Sequence, residues 1–136
     1  MKVLVLTSTP ISAGRLREVL PRRGGNPVEL DEVMVLAPAL HENALRFWVS
    51  DADEAIARAQ SVARRSVAQL EREAPSVDGA VGEGDPVTAI EDALAEFPAD
   101  EVIIFTRSGS EHRYREDLDR DSVRERLSLP VRFASA

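Results

Sequence analysis

No cysteine occurs among the 136 residues. That absence removes disulfides, thiolate metal sites and cysteine nucleophiles together, and it fits a reducing compartment. No apolar run reaches the length of a membrane span. The run near the start, Val3 to Leu6, is closed by Ser8, Thr9 and Pro10 too soon for a secretory signal. A cytoplasmic location is therefore expected. Histidine is scarce: His41 and His112 stand apart, with no partner at metal-ligand spacing, so each reads as a surface residue and no metal is expected. The chain has no Gly-x-Ser-x-Gly elbow, no paired-histidine zinc motif and no Walker lysine motif. No catalytic residue is nominated. Repeats, low-complexity tracts and interdomain linkers are also missing, so residues 1–136 read as a single domain.

Hydrophobic residues make up 43% of the chain and charged residues 30%, the range of an ordinary globular domain. The formal net charge is −7. An acidic surface opposes binding to nucleic-acid backbones and anionic membranes.

Short apolar runs alternate with helical patterns. Val3–Leu6, Val33–Leu36 and Val102–Phe105 read as buried parallel strands, since both of their faces are apolar. Val131–Ala134 alternates, as an edge strand does, and Val77–Val81 is a weaker fifth candidate containing Gly79. The clearest helix spans roughly Asp51 to Glu73, with Ala52, Ala55, Ile56, Ala59, Val62, Ala63, Val67 and Leu70 on one stripe. Ser50 with Asp53, and Ser122 with Glu125, resemble capping boxes. A second helix, from Pro86 to about Phe97, has Asp85 as N-cap and Pro86 at the first helical position, with Val87, Ile90, Leu94 and Phe97 facing the core. A brief first helix near Ser12–Leu20 precedes a turn over Arg22–Pro27. This order predicts a three-layer α/β/α fold with a parallel sheet.

Ligands of such sheets sit beyond the carboxyl ends of the strands. Thr7, Ser8 and Thr9, with Ser12 beyond them, follow the first strand. Their hydroxyls and N–H groups suit a phosphate, although capping the next helix is the plainer use. Gly82-Glu83-Gly84-Asp85-Pro86 reads as a sharp turn into a capped helix. Thr106, Arg107, Gly109 and Ser110 leave the fourth strand, where Arg107 and local N–H groups suit an anion and a solvated loop is the alternative. The connection from Ala37 to Ser50 carries Arg46, Phe47 and Trp48. Phe47 reads as a packing residue. For Trp48 a structural clamp leads a pocket wall; for Arg46 a ligand contact leads.

Gly84-Asp85-Pro86, Ala89-Ile90 and Ala99-Asp100-Glu101-Val102-Ile103-Ile104 resemble the middle of a universal stress protein, where a "GDP…AI" helix leads through an "AD" turn into the fourth strand. Val33–Pro38 is similar to the family's second strand and its exit. Ser122-Val123, Glu125-Arg126 and Pro130-Val131 are similar to its "GS-V…ER…PV" ending. The resemblance extends over nearly the whole chain. It implies a five-stranded parallel sheet of order 3-2-1-4-5 and a homodimer paired through the last strand. In ATP-binding members it also implies an Asp after the first strand and a glycine motif around the phosphates. That motif is Gly, two residues, Gly, nine residues, Gly, then Ser or Thr.

Here the binding pattern is altered. Ser8 or a neighbour stands at the Asp position, Thr106 at the first glycine, and Gly109 keeps the second. Eleven residues, Ser110 to Arg120, then intervene; Asp121 replaces the third glycine and Ser122 keeps its type. A carboxylate about 4 Å from a phosphate repels it by roughly 1–4 kcal/mol. The expected protein is a non-catalytic binding or signalling module with weak or absent ATP binding. A nucleotide- or small-anion-binding stress protein using the loop after the fourth strand is the alternative. A second alternative is an enzyme of the wider adenine nucleotide alpha hydrolase-like group. A receiver domain shares the layer plan but needs acidic residues after the first strand and an Asp after the third; a flavodoxin-like domain shares the Ser/Thr loop after the first strand but normally has glycine and asparagine within it, where Pro10 and Ile11 stand here.

Overall fold

Val3, Leu4, Val5 and Leu6 are all fully buried. Successive side chains of a strand point to opposite faces, so a strand apolar on both faces must be covered on both. The computed structural model, which describes residues 1–39, 52–82, 85–106 and 120–135, meets that demand. Strand β1 (Lys2–Thr7) is followed by helix α1 (Ala13–Val19) and a small antiparallel hairpin, β2 (Arg22–Arg23) with β3 (Asn26–Pro27). Then come β4 (Glu32–Pro38), α2 (Ala52–Leu70), β5 (Ser76–Gly82), α3 (Pro86–Glu96), β6 (Glu101–Thr106), α4 (Arg120–Arg126) and β7 (Val131–Ser135).

The five long strands form one parallel sheet in the order β5-β4-β1-β6-β7. Counting those strands alone, this is the expected 3-2-1-4-5 with β1 at the centre. Val3, Val5, Val33, Val35, Ile103 and Phe105 lie on one face, packed with Leu16 of α1 and Leu70 of α2. Ala55, Ala59 and Ala63 continue the α2 contact over Ala37 and Ala39. On the other face Leu4, Leu6, Leu36, Val102 and Ile104 meet Val87 and Ile90 of α3, Val123 of α4 and Leu127 just after it.

Some boundaries differ from the sequence expectation. Helix α2 ends at Leu70, not Glu73. Helix α4 begins at Arg120, so Ser122 is inside its first turn, where Asp121 also sits, and does not open the helix as an N-cap. Ala37 and Pro38 belong to β4, and the Ala39 N–H donates to the Gly82 carbonyl at 2.8 Å; the connection after β4 is shorter than expected by those residues. The Arg22–Pro27 turn is a hairpin whose Gly24 and Gly25 have φ of 61° and 85°, a conformation that favours residues without a Cβ. The Ser50–Asp53 cap and the segment with His41, Phe47 and Trp48 lie outside the described residues, as does His112.

Candidate functional site

All five long strands run the same way, so Thr7, Pro38, Gly82 and Thr106 end at one rim of the sheet. The register pairs Thr7 with Phe105, which sets the loop after Thr7 beside Thr106. The chain leaves β1 toward β4 on one side and returns to β6 on the other. The reversal between β1 and β6 is where open α/β sheets form their crevice.

Most hydroxyls there already serve the fold. Thr7 is fully buried; its Oγ1 donates to the Thr9 carbonyl at 2.6 Å and accepts from the Thr9 N–H at 3.2 Å. This local turn is what a Thr two residues before a bend commonly makes. Ser12 is the N-cap of α1, its Oγ accepting from the Arg15 N–H at 3.1 Å. Thr106 Oγ1 donates to the Ala134 carbonyl at 3.3 Å, tying the end of β6 to β7. Ser8 differs: its Oγ is buried and has no hydrogen-bond partner among the described residues. Buried polar atoms left without a partner are uncommon.

Ser66 escaped the sequence reading. It is fully buried on α2, and its Oγ accepts from the Ile11 N–H at 3.1 Å, anchoring the loop after β1 to the long helix. The signal was present: Ser66 follows Val62 and Ala63 by four and three residues on the apolar stripe. Arg15 was also missed; its Nε donates to the Ser135 carbonyl at 2.8 Å, joining α1 to the last strand.

Asp85 caps α3 as expected, with its Oδ2 accepting from the Thr88 N–H at 3.0 Å, and Pro86 opens the helix. Arg126 of α4 reaches the same carboxylate at 3.6 Å and also pairs with Glu91. Gly82 serves a close approach: a Cβ there would lie 2.8 Å from Ala89 Cβ. Asp121 and Ser122 are both exposed in the first turn of α4. Arg46, Arg107, Gly109 and Ser110 lie outside the described residues, so of the nine candidates only Thr7, Ser8, Thr9, Thr106 and Ser122 have described positions. The Asp31 carboxyl is held below its ordinary value by a hydrogen bond and charge from the Met1 ammonium, and it lies at the opposite end of the sheet.

No family model matches the sequence, and no curated protein matches it. Solved structures do. Universal stress protein UspA from Lactobacillus plantarum is similar at 15% identity and a TM-score of 0.59, over 98% of this chain and 97% of that one. A universal stress protein family protein from Arabidopsis thaliana with AMP bound is similar at 12% identity and a TM-score of 0.58, over 99% and 91%. A hypothetical protein, PH0823, gives 22% and 0.58 over 98% and 94%. Shared topology and near-complete mutual coverage assign this chain the universal stress protein fold.

Proposed function

We propose that this chain is a universal stress protein acting in the cytoplasm as a non-catalytic binding or signalling module, with weak or absent ATP binding, and that it forms a homodimer through β7. The observation that carries the binding reading is Asp121 in the first turn of α4. A helix start attracts anions through its free N–H groups and partial positive charge. A carboxylate in that turn already complements this charge and repels a polyphosphate. Thr7 and Thr106, whose hydroxyls are engaged within the fold, support the same reading.

A second reading has its own support. The AMP held by the Arabidopsis thaliana relative suggests adenine nucleotides as probes for this chain. The Ser8 Oγ, without a partner among the described residues, favours a ligand smaller than ATP, with Ser8, Thr9 and Ser122 supplying polar groups and Arg46, Arg107, Gly109 and Ser110 completing the site. Calorimetry with magnesium–ATP and with AMP separates the two. The first reading expects no micromolar signal for ATP. Asp121→Gly removes the charge and the Cβ together, and is expected to raise ATP affinity about tenfold if repulsion near 1.4 kcal/mol is the obstacle. Micromolar ATP binding by the unaltered protein, lost in Ser122→Ala, overturns the first reading. AMP binding that disappears in Ser8→Ala supports the second.

A further inference from the structure

The sheet has two edges, and they carry different chemistry. At β5 the Ala39 N–H donates to the Gly82 carbonyl. Backbone groups alternate in direction along a strand, so Ser76, Asp78, Ala80 and Gly82 turn theirs toward β4. Val77, Gly79 and Val81 turn theirs outward, away from the sheet. An edge of this kind is a template for another strand.

Helix α2 overhangs that edge. Val77 and Val81 pack on the α2 side of the sheet, and Ala80 packs on the opposite side. Gly79 lets the helix come close: a Cβ there would stand 3.0 Å from Val67 Cγ2 and 3.2 Å from Ala63 Cβ. The result is an open groove with β5 along one wall and Gln60, Ala63, Arg64 and Val67 along the other. Gln60 and Arg64 are exposed, and Val67 is half-buried. Among the described residues Arg64 has no acidic partner, whereas Arg58 on the same helix pairs with Glu54 at 3.9 Å. Asp78 is exposed on the other face of β5, also without a partner among the described residues.

These features fix what the groove accepts. A second copy pairing antiparallel about Gly79 would bring two α2 helices to the same side of the seam, with Arg64 facing its counterpart. That like-charge contact disfavours self-pairing. An added strand of another chain would place alternate side chains under α2. There an apolar residue meets Val67 and a carboxylate meets Arg64. The residues between them lie on the face of Asp78 and complement it if basic. We infer that the β5 edge is a docking site for an extended peptide segment of a partner protein, with apolar and acidic side chains on one face and basic side chains on the other. This is independent of whether the rim of the sheet binds nucleotide.

The test uses a fluorescein-labelled peptide in which Val, Glu and Val alternate with two Lys, read by fluorescence polarisation against the full chain. Saturable binding is expected. Arg64→Glu is expected to weaken it about fivefold or more, and a peptide with Lys in place of Glu is expected to regain affinity for that variant. Circular dichroism checks that the exposed substitution leaves the fold intact. A peptide N-methylated at the residues whose N–H groups face β5 is expected to lose binding. No binding at millimolar peptide overturns the proposal. So does full binding by the N-methylated peptide, or an affinity indifferent to Arg64→Glu. Because the chain has no cysteine, Asp78→Cys combined with Ala80→Cys also tests the competing occupant, since pairing about Gly79 sets residue 78 opposite residue 80 of the second copy: an efficient intermolecular disulfide would assign the edge to a second copy instead.

Discussion

Two serines in this chain behave oppositely, and the contrast shows what a hydroxyl does once buried. Ser66 Oγ accepts from the Ile11 N–H and so satisfies a backbone donor that the turn after β1 would otherwise bury alone. Leaving such a donor unsatisfied costs about 1–3 kcal/mol. Ser66→Ala is therefore expected to destabilise the protein by about that amount, seen as a lower denaturant midpoint with an unchanged slope. A loss near zero would mean that water reaches Ile11 and that the loop is not anchored by α2. Ser8→Ala removes a hydroxyl without a partner among the described residues and is expected to change stability far less. From sequence both residues are only serines near apolar neighbours; burial and partner, which separate them, depend on which helix lies over which loop.

At the scale of elements, the order of strands and helices was legible because apolar period and capping chemistry agree. Asp85-Pro86 marked the start of α3, and the apolar runs marked β1, β4 and β6. The start of α4 was less legible. Ser122 and Glu125 offer capping chemistry inside a helix that already began at Arg120, so local preference alone placed the boundary late. Strand β5 was the weakest reading because two of its seven residues are glycine. Both glycines answer to packing that no local pattern reveals. A Cβ at Gly82 would come within 2.8 Å of Ala89 Cβ, while one at Gly79 would meet Val67 Cγ2 at 3.0 Å, the end of a side chain. Gly82→Ala is thus expected to cost about 1–3 kcal/mol, the range for overpacked cores. Gly79→Ala is expected to cost less, since Val67 is half-buried and the substitution also reduces unfolded-state entropy by about 0.4–1 kcal/mol. Equal losses in thermal or chemical denaturation would contradict this ordering. The candidate site was less legible than the fold. Its residue types can be read, but whether Thr7 or Thr106 keeps a hydroxyl for a ligand depends on bonds to Thr9 and Ala134.

At the scale of the whole molecule, the proposed dimer rests on how β7 presents its edge. The Val102 N–H donates to the Pro130 carbonyl at 3.0 Å, so Pro130, Arg132 and Ala134 turn toward β6, and Val131, Phe133 and Ser135 turn outward. A twofold, antiparallel pairing about Phe133 would set Val131 against Ser135 of the second copy and Arg132 beside its Ala134. Charge does not oppose this arrangement as it does at β5. Arg132 is already paired with Glu101, which is 5% exposed, Arg15 with Glu18 at 2.7 Å, and Arg124 lies 5.3 Å above the Phe133 ring. Ser135 offers a selective probe. Proline there removes an outward N–H but no bond to β6, and it keeps the carbonyl that accepts from Arg15. The residue before it, Ala134, is already in a strand, a conformation that a following proline favours. Light scattering at tens of micromolar is expected to give a dimeric mass for the unaltered chain and a monomeric one for Ser135→Pro, with thermal stability measured at low concentration within about 0.5 kcal/mol. A monomer in both cases would sink the dimer; a dimer in both would move it to a different surface.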